Sequence, residues 1–234
     1  MGARLFLSFW ATVVMGATYV HGQTAPYAKA SLGTYHMQAL EAFQQEIAKD
    51  LFVPAEVVNS FPATVGYEVG LMHQYDDRQA YGGYFSYRST GGRIHYADYS
   101  GQVKIDQLLS SYSLGMLYTG RLSAMDTEEK VVPWAFIKLS GAYTLFDLEQ
   151  YVEVGPRKES ETFYLKSLNI GVEPGLSLHI PIAFFSLNPE LSYELQLPGK
   201  LFADNGGYLL NPQEEAVKAN WSGVRVGLSI TKQF

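Results

Sequence analysis

Three groupings of side chains in this sequence have types and spacings that could do chemistry. Ser177 and His179 stand two residues apart and Glu173 precedes Ser177 by four, so an extended chain turns all three to one face. A hydroxyl, an imidazole and a carboxylate are the parts of a nucleophile–base–orienter triad. Asp76 and Asp77 follow shortly after His73, which brings two carboxylates and an imidazole to one turn, here expected on the external side. That is general acid–base material, although adjacent Asp residues are also ordinary turn formers. The third grouping is the largest. Glu68, Arg88, Arg121, Lys138, Glu173, Glu190, Glu194 and Arg225 supply four carboxylates and four cations, each on the polar side of an alternating segment.

Those segments must position the charges, and their period is two. Counting back from Phe234, one face carries Lys232, Ile230, Leu228, Val226 and Val224, while the other carries Thr231, Ser229, Gly227 and Arg225. Phe185, Leu187, Leu191, Tyr193 and Leu195 oppose Ser186, Asn188, Glu190, Ser192 and Glu194. Leu168, Ile170 and Val172 oppose Asn169, Gly171 and Glu173; Tyr112, Leu114 and Met116 oppose Ser113 and Gly115; Val65, Tyr67 and Val69 oppose Gly66 and Glu68. Strands are expected near 63–75, 80–89, 92–101, 105–122, 132–152, 162–180, 183–197 and 221–234, about eight in all. Several exceed the usual five or six residues and reach the roughly 9–11 that cross a bilayer. Aromatic residues, including Tyr67, Tyr81, Tyr118, Trp134, Phe163 and Tyr164, gather near strand ends as an interfacial girdle would. The expected fold is therefore all-β: an antiparallel transmembrane β-barrel with its greasy face toward lipid. Eight strands leave an interior just filled by side chains. The eight charges are then expected to pair as a structural plug, because an unpaired buried charge costs several kcal/mol. No catalytic residue is assigned.

Composition narrows the function classes. The chain has 17 Lys and Arg against 23 Asp and Glu, a net charge of −6, and no basic run, which argues against a nucleic-acid partner. It has no Cys, so disulfides, thiolate metal sites and Cys nucleophiles are out. The 5 His show no metal-ligand spacing, and there is no phosphate loop, so neither metal nor cofactor is expected. No later stretch approaches the ~18 apolar residues of a spanning helix.

Arg4 precedes the apolar run Leu5 to Ala17, and small residues follow, the layout of a secretory signal peptide. Three segments are expected: a signal peptide over 1–22, an N-terminal extension over 23–60 and the barrel over 61–234. Within the extension, Met37, Leu40, Phe43, Ile47 and Leu51 recur at helical spacing until Pro54, predicting an amphipathic helix packed on the barrel mouth or lying at the membrane surface. Polar stretches 199–220 and 153–161 are expected as external loops.

Leader, serial alternation and the ending Val224–Phe234 together make the sequence resemble the small outer-membrane β-barrels of Gram-negative bacteria, of the OmpA/OmpX-like kind. That resemblance implies an outer-membrane location and the barrel-assembly machinery as a partner during biogenesis. Phe234, Ile230 and Leu228 would form the C-terminal assembly signal, from which Lys232 departs by standing where a hydrophobe is usual. Outer-membrane lipid and an outer-membrane or periplasmic protein are the other expected partners. The role that follows is non-enzymatic: structural, adhesive or partner-scaffolding. The alternatives are a barrel enzyme acting on lipid or peptide, or a narrow pore or small-molecule transporter.

Overall fold

The computed structural model describes residues 24–99, 101–122, 131–211 and 213–232. The expected leader over 1–22 and Phe234 of the assembly signal lie outside these. In chain order the elements are β1 (Thr24–Gly33), α1 (Gln38–Asp50), β2 (Glu56–Ser60), β3 (Thr64–Asp76), β4 (Gln79–Asp98), β5 (Gly101–Arg121), β6 (Val132–Val154), β7 (Arg157–Ile182), β8 (Phe185–Leu197), β9 (Phe202–Ala203) and β10 (Gly223–Lys232).

Eight strands close a ring in the order β1-β3-β4-β5-β6-β7-β8-β10, with β10 pairing back onto β1 and every contact antiparallel. Closure removes the sheet's edges through the ring. The short strands β2 and β9 lie outside the ring, on β4 and β7. Two rims result. The near rim holds Thr24, the turn 77–78, the turn 183–184 and the end of β10 at Lys232; the far rim holds α1, the segment 198–222 and the tips of two long hairpins. The ten residues of β1 and of β10, at about 3.3 Å per residue and tilted, span about 25 Å, the height of an outer-membrane barrel's apolar band.

Alternation resolves into two surfaces. Leu114, Met116, Leu139, Leu168, Ile170, Leu191, Val226 and Leu228 point outward and are exposed. Ser111, Ser113, Thr144, Ser167, Asn169, Ser192 and Ser229 point inward and are buried. A protein with its apolar side chains outside and its polar ones within is inverted relative to a soluble sandwich, and matches a barrel whose outer solvent is lipid. No described helix is long and apolar enough to cross a membrane.

Three sequence expectations change. The segment 80–101 does not hold two strands: Ser89–Gly92 pair with Ser110–Gln107 without a break inside the single strand β4. Glycine is required there by close approach, since a Cβ on Gly91 would lie 2.6 Å from the Gln107 carbonyl. The missing eighth strand is β1, in the segment assigned to an extension, so the barrel begins near Thr24 instead of 61. Its outward residues Ala28 and Ala30 are too small to mark a greasy face. Third, 153–161 is a tight hairpin instead of a loop: β6 and β7 pair as far as Val154 and Arg157, and Gly155 takes φ +58° in the two-residue turn.

Candidate functional site: plug, rim pocket and projecting sheet

The lumen is crossed at mid-height by a charge network. Arg88 of β4 donates to both carboxylate oxygens of Glu194 on β8, at 2.6 and 3.0 Å. Arg225 of β10 contacts the same carboxylate and lies 3.3 Å from Glu173 of β7. Lys29 of β1 reaches Glu190 at 2.7 Å and Glu173 at 3.7 Å. Lys138 of β6 donates to Glu68 of β3 at 2.5 Å, and the Tyr27 hydroxyl donates to the same oxygen at 2.7 Å. Four cations meet four carboxylates drawn from seven of the eight ring strands, so the network ties the barrel across its diameter.

Seven of these eight charges were among the sequence candidates. The one candidate outside the network is Arg121, which sits at the near-rim end of β5, opposite Trp134 in register. Lys29 takes the fourth cation's place; it was missed because β1 was not recognised as a strand. Aromatic faces cover the cations: Arg88 lies 4.9 Å from the Trp221 ring, and Lys138 lies 5.1 Å from Tyr84 and 5.3 Å from Phe136. A cavity of about 20 Å³ bordered by Lys29, Tyr35, Arg88 and Arg225 holds no more than one water.

Beyond the plug, the far rim carries a second, apolar core. Met37 and Leu40 from the start of α1, Phe61 from the link between β2 and β3, Leu109, Phe146 and Leu165 from the ring strands, and Leu201, Val217, Ala219 and Trp221 from the segment 198–222 are all buried together. Trp221 anchors it: its indole donates to Thr144 Oγ1 at 3.0 Å and meets Tyr35 edge-on at 4.9 Å. The external loop expected at 199–220 is thus a folded cap, held by the bridges Lys200–Lys218 and Leu210–Ala216. With α1 it roofs the lumen.

On the near-rim side of the plug is a pocket of about 290 Å³, walled by Tyr27, Met72, Leu117 and Phe136 and reaching the rim beside Gln74 and Lys232. Ser177, His179 and Trp134 line it. Trp134 therefore faces the lumen, not the lipid girdle, and Phe163 likewise lies on the inner side of its strand. The triad geometry is absent. Ser177 and His179 are in the pocket, but Glu173 is engaged by Ser192 at 2.6 Å and by Lys29 and Arg225. Asp76 and Asp77 are on the near rim, with the end of β10 and opposite the cap, because 80–98 is the one strand β4, which reverses the direction of 64–76 counted back from the C-terminal strand. Asp76 Oδ1 accepts from the Arg78 amide at 2.8 Å, as a turn former does, and His73 bonds Thr24 across to β1 at 3.0 Å. Among the described residues no group of three or more His, Asp or Glu is arranged to hold a metal ion.

Past the far rim, β4 to β7 continue as a projecting sheet. Arg93–Asp106, Lys104–Asp106 and Lys158–Glu153 ion pairs lace its outer face. The half-buried Glu153 carboxyl is held down at about 2 by hydrogen bonds from Lys158, Gln102 and Tyr151. One side of the sheet is covered by β2 on β4. The other side is β7, whose residues Arg157–Tyr164 pair with β6 and, among the described residues, with no second strand.

No family model and no curated protein matches the sequence. Solved structures do. A major outer membrane protein from Thermus thermophilus aligns over 91% of this chain and 100% of its own, at 10% identity and TM-score 0.52. Neisserial surface protein A aligns over 91% and 98%, at 13% identity and TM-score 0.40. The attachment invasion locus protein of Yersinia pestis aligns over 92% and 100%, at 12% identity and TM-score 0.34. The eight-stranded antiparallel ring, its outward apolar band and the Thermus alignment give one answer: the chain has the fold of the small outer-membrane β-barrels.

Proposed function

We propose that this chain is an integral outer-membrane barrel that neither conducts nor catalyses, and that it presents its projecting sheet to a protein partner outside the cell. The near rim then faces the periplasm and the cap faces out. The observation that carries the reading is the free edge of β7. From Arg157 to Tyr164 every second residue turns its backbone donor and acceptor to the unpaired side, about 25 Å of template for a strand of another chain. The plug and the cap support the non-conducting part, since they occupy the lumen at two levels. Export by the leader and a role in adhesion or scaffolding complete the proposal.

The test is a photo-crosslinking scan on intact cells. A crosslinkable residue at Ser160 or Thr162, on the free edge, should capture a discrete protein, and one at Gln150, inside the same sheet, should not. Capture from neither edge position, or equal capture from Gln150, would refute the edge as the docking element.

A further inference from the structure

We propose that the near-rim pocket is a binding site for a small, uncharged aromatic molecule carrying one hydrogen-bond acceptor. The argument begins with what the pocket offers. Its volume of about 290 Å³ is at the lower end of small-molecule pockets. Its walls at Tyr27, Met72, Leu117 and Phe136 are apolar or aromatic, suited to the faces and edges of a ring.

Its floor decides the charge. Lys138 and Glu190 both line the pocket, but each is already matched, Lys138 to Glu68 at 2.5 Å and Glu190 to Lys29 at 2.7 Å. The remaining charged side chain of the lining, Lys232, is exposed at the rim, so no buried uncompensated charge awaits a ligand, and a charged one would lose its hydration without gaining a buried counter-ion. Two buried atoms of the lining are left over among the described residues: Asn188 Oδ1, to which the neighbouring His179 imidazole can donate, and one donor with nothing to serve it. The Trp134 indole Nε1–H is buried and has no hydrogen-bond partner among the described residues. Its ring stands 6.3 Å from that of His179, with Ser177 opposite it in the β6–β7 register. A buried donor without an acceptor is unfavourable, and an oxygen on an otherwise apolar guest removes the penalty. A ring to fill the walls and one oxygen for Trp134 define the ligand class.

Acetophenone is the probe, being uncharged, with one ring and one carbonyl. Ethylbenzene keeps the ring and lacks the acceptor; benzoate adds charge. The full-length barrel is refolded in detergent micelles with ¹⁵N-labelled Trp, and the Trp134 indole cross-peak is assigned by Trp134→Phe. Acetophenone should shift that peak saturably, with a dissociation constant on the order of 1 mM for so small a ligand. Ethylbenzene and benzoate should bind at least about tenfold more weakly, as expected when the hydrogen bond is missing or a charge is buried. Ala80→Phe, which fills the pocket, should abolish the shift; Thr119→Tyr, nearer the rim, serves if Ala80→Phe does not fold. A linear, unsaturable shift, an equal shift at Trp221, or binding that survives a folded pocket-filling variant would overturn the proposal.

Discussion

Removing the Glu194 carboxylate is the sharpest perturbation of the plug. Glu194 receives two hydrogen bonds from Arg88, contact from Arg225 and a third hydrogen bond from Gln196 Nε2 at 3.1 Å. Its side chain is only 3% exposed, and those of Arg88 and Arg225 are 5% and 11% exposed. Glu194→Ala therefore strands a guanidinium with no carboxylate within reach, since Arg88 has no other ion-pair partner among the described residues. Arg225 keeps Glu173. Breaking a buried pair from one side costs about 3–5 kcal/mol, and the Arg88 side should place this variant in the upper half of that range. Glu194→Gln keeps one oxygen to accept from Arg88 and should fall at the lower end. The compensating double change, Arg88→Met with Glu194→Leu, replaces charges by apolar volume and should recover at least about 2 kcal/mol relative to Glu194→Ala, because the stranded Arg88 charge is no longer buried unpaired. Equilibrium urea unfolding in lipid vesicles, followed by Trp fluorescence and by heat-modifiable mobility, reads these differences. A loss below about 1 kcal/mol for Glu194→Ala, or strict additivity of the single substitutions, would refute the network as a coupled, desolvated unit.

Three further outcomes follow from the same structure. Gly70→Ala should destabilise by about 1–3 kcal/mol in the same assay, because its Cβ would lie 2.5 Å from both the Gly83 carbonyl and the Tyr27 ring, and no loss would contradict the tight lumen wall there. Glu153 should titrate by carboxyl NMR near 2, so its hold on the hairpin tip is complete above the ordinary Glu value of 4.5 and fades as pH falls toward 2; a midpoint at the ordinary value would remove the Lys158, Gln102 and Tyr151 bonds from the account. Planar-bilayer recording should show no discrete conductance for the wild-type barrel, and steady single-channel steps would contradict a lumen closed by plug and cap.

What the sequence made legible was whatever repeats with period two. Outward Leu228 and Leu191 and inward Glu190 and Arg225 could be assigned from alternation, since a strand leaves no other choice of face. Seven members of the plug could be placed the same way, because charges on inward faces must find one another, whereas Arg121 lies at the rim and Lys29 takes its place. Legibility failed where the residue types were small or the packing was not periodic. Ala28 and Ala30 present no greasy stripe, so β1 was hidden, and with it Lys29. Ser89–Thr90–Gly91–Gly92 has turn composition, yet Thr90 Oγ1 donates to the Pro62 carbonyl at 2.8 Å and the glycines admit neighbouring chain, a tertiary reason that local composition does not carry. Trp221, Leu201 and Val217 lie in a polar stretch, and nothing periodic announces that they close over the mouth. The rim pocket depends on Trp134 turning inward at a strand end, where an aromatic residue reads equally well as girdle.

The central claim is that the apolar face of this barrel meets lipid and the polar face does not. The chain has no Cys of its own, so single substitutions report cleanly. Leu228 and Leu191 are 46% and 55% exposed on the outer face, while Ser229 and Ser192, their neighbours, are 3% and 5% exposed in the lumen. In reconstituted vesicles a thiol probe dissolved in the bilayer should label Leu228→Cys and Leu191→Cys and leave Ser229→Cys and Ser192→Cys unmodified. Equal labelling of both faces, or no labelling at 228 and 191 in protein that is folded and membrane-bound, would contradict it.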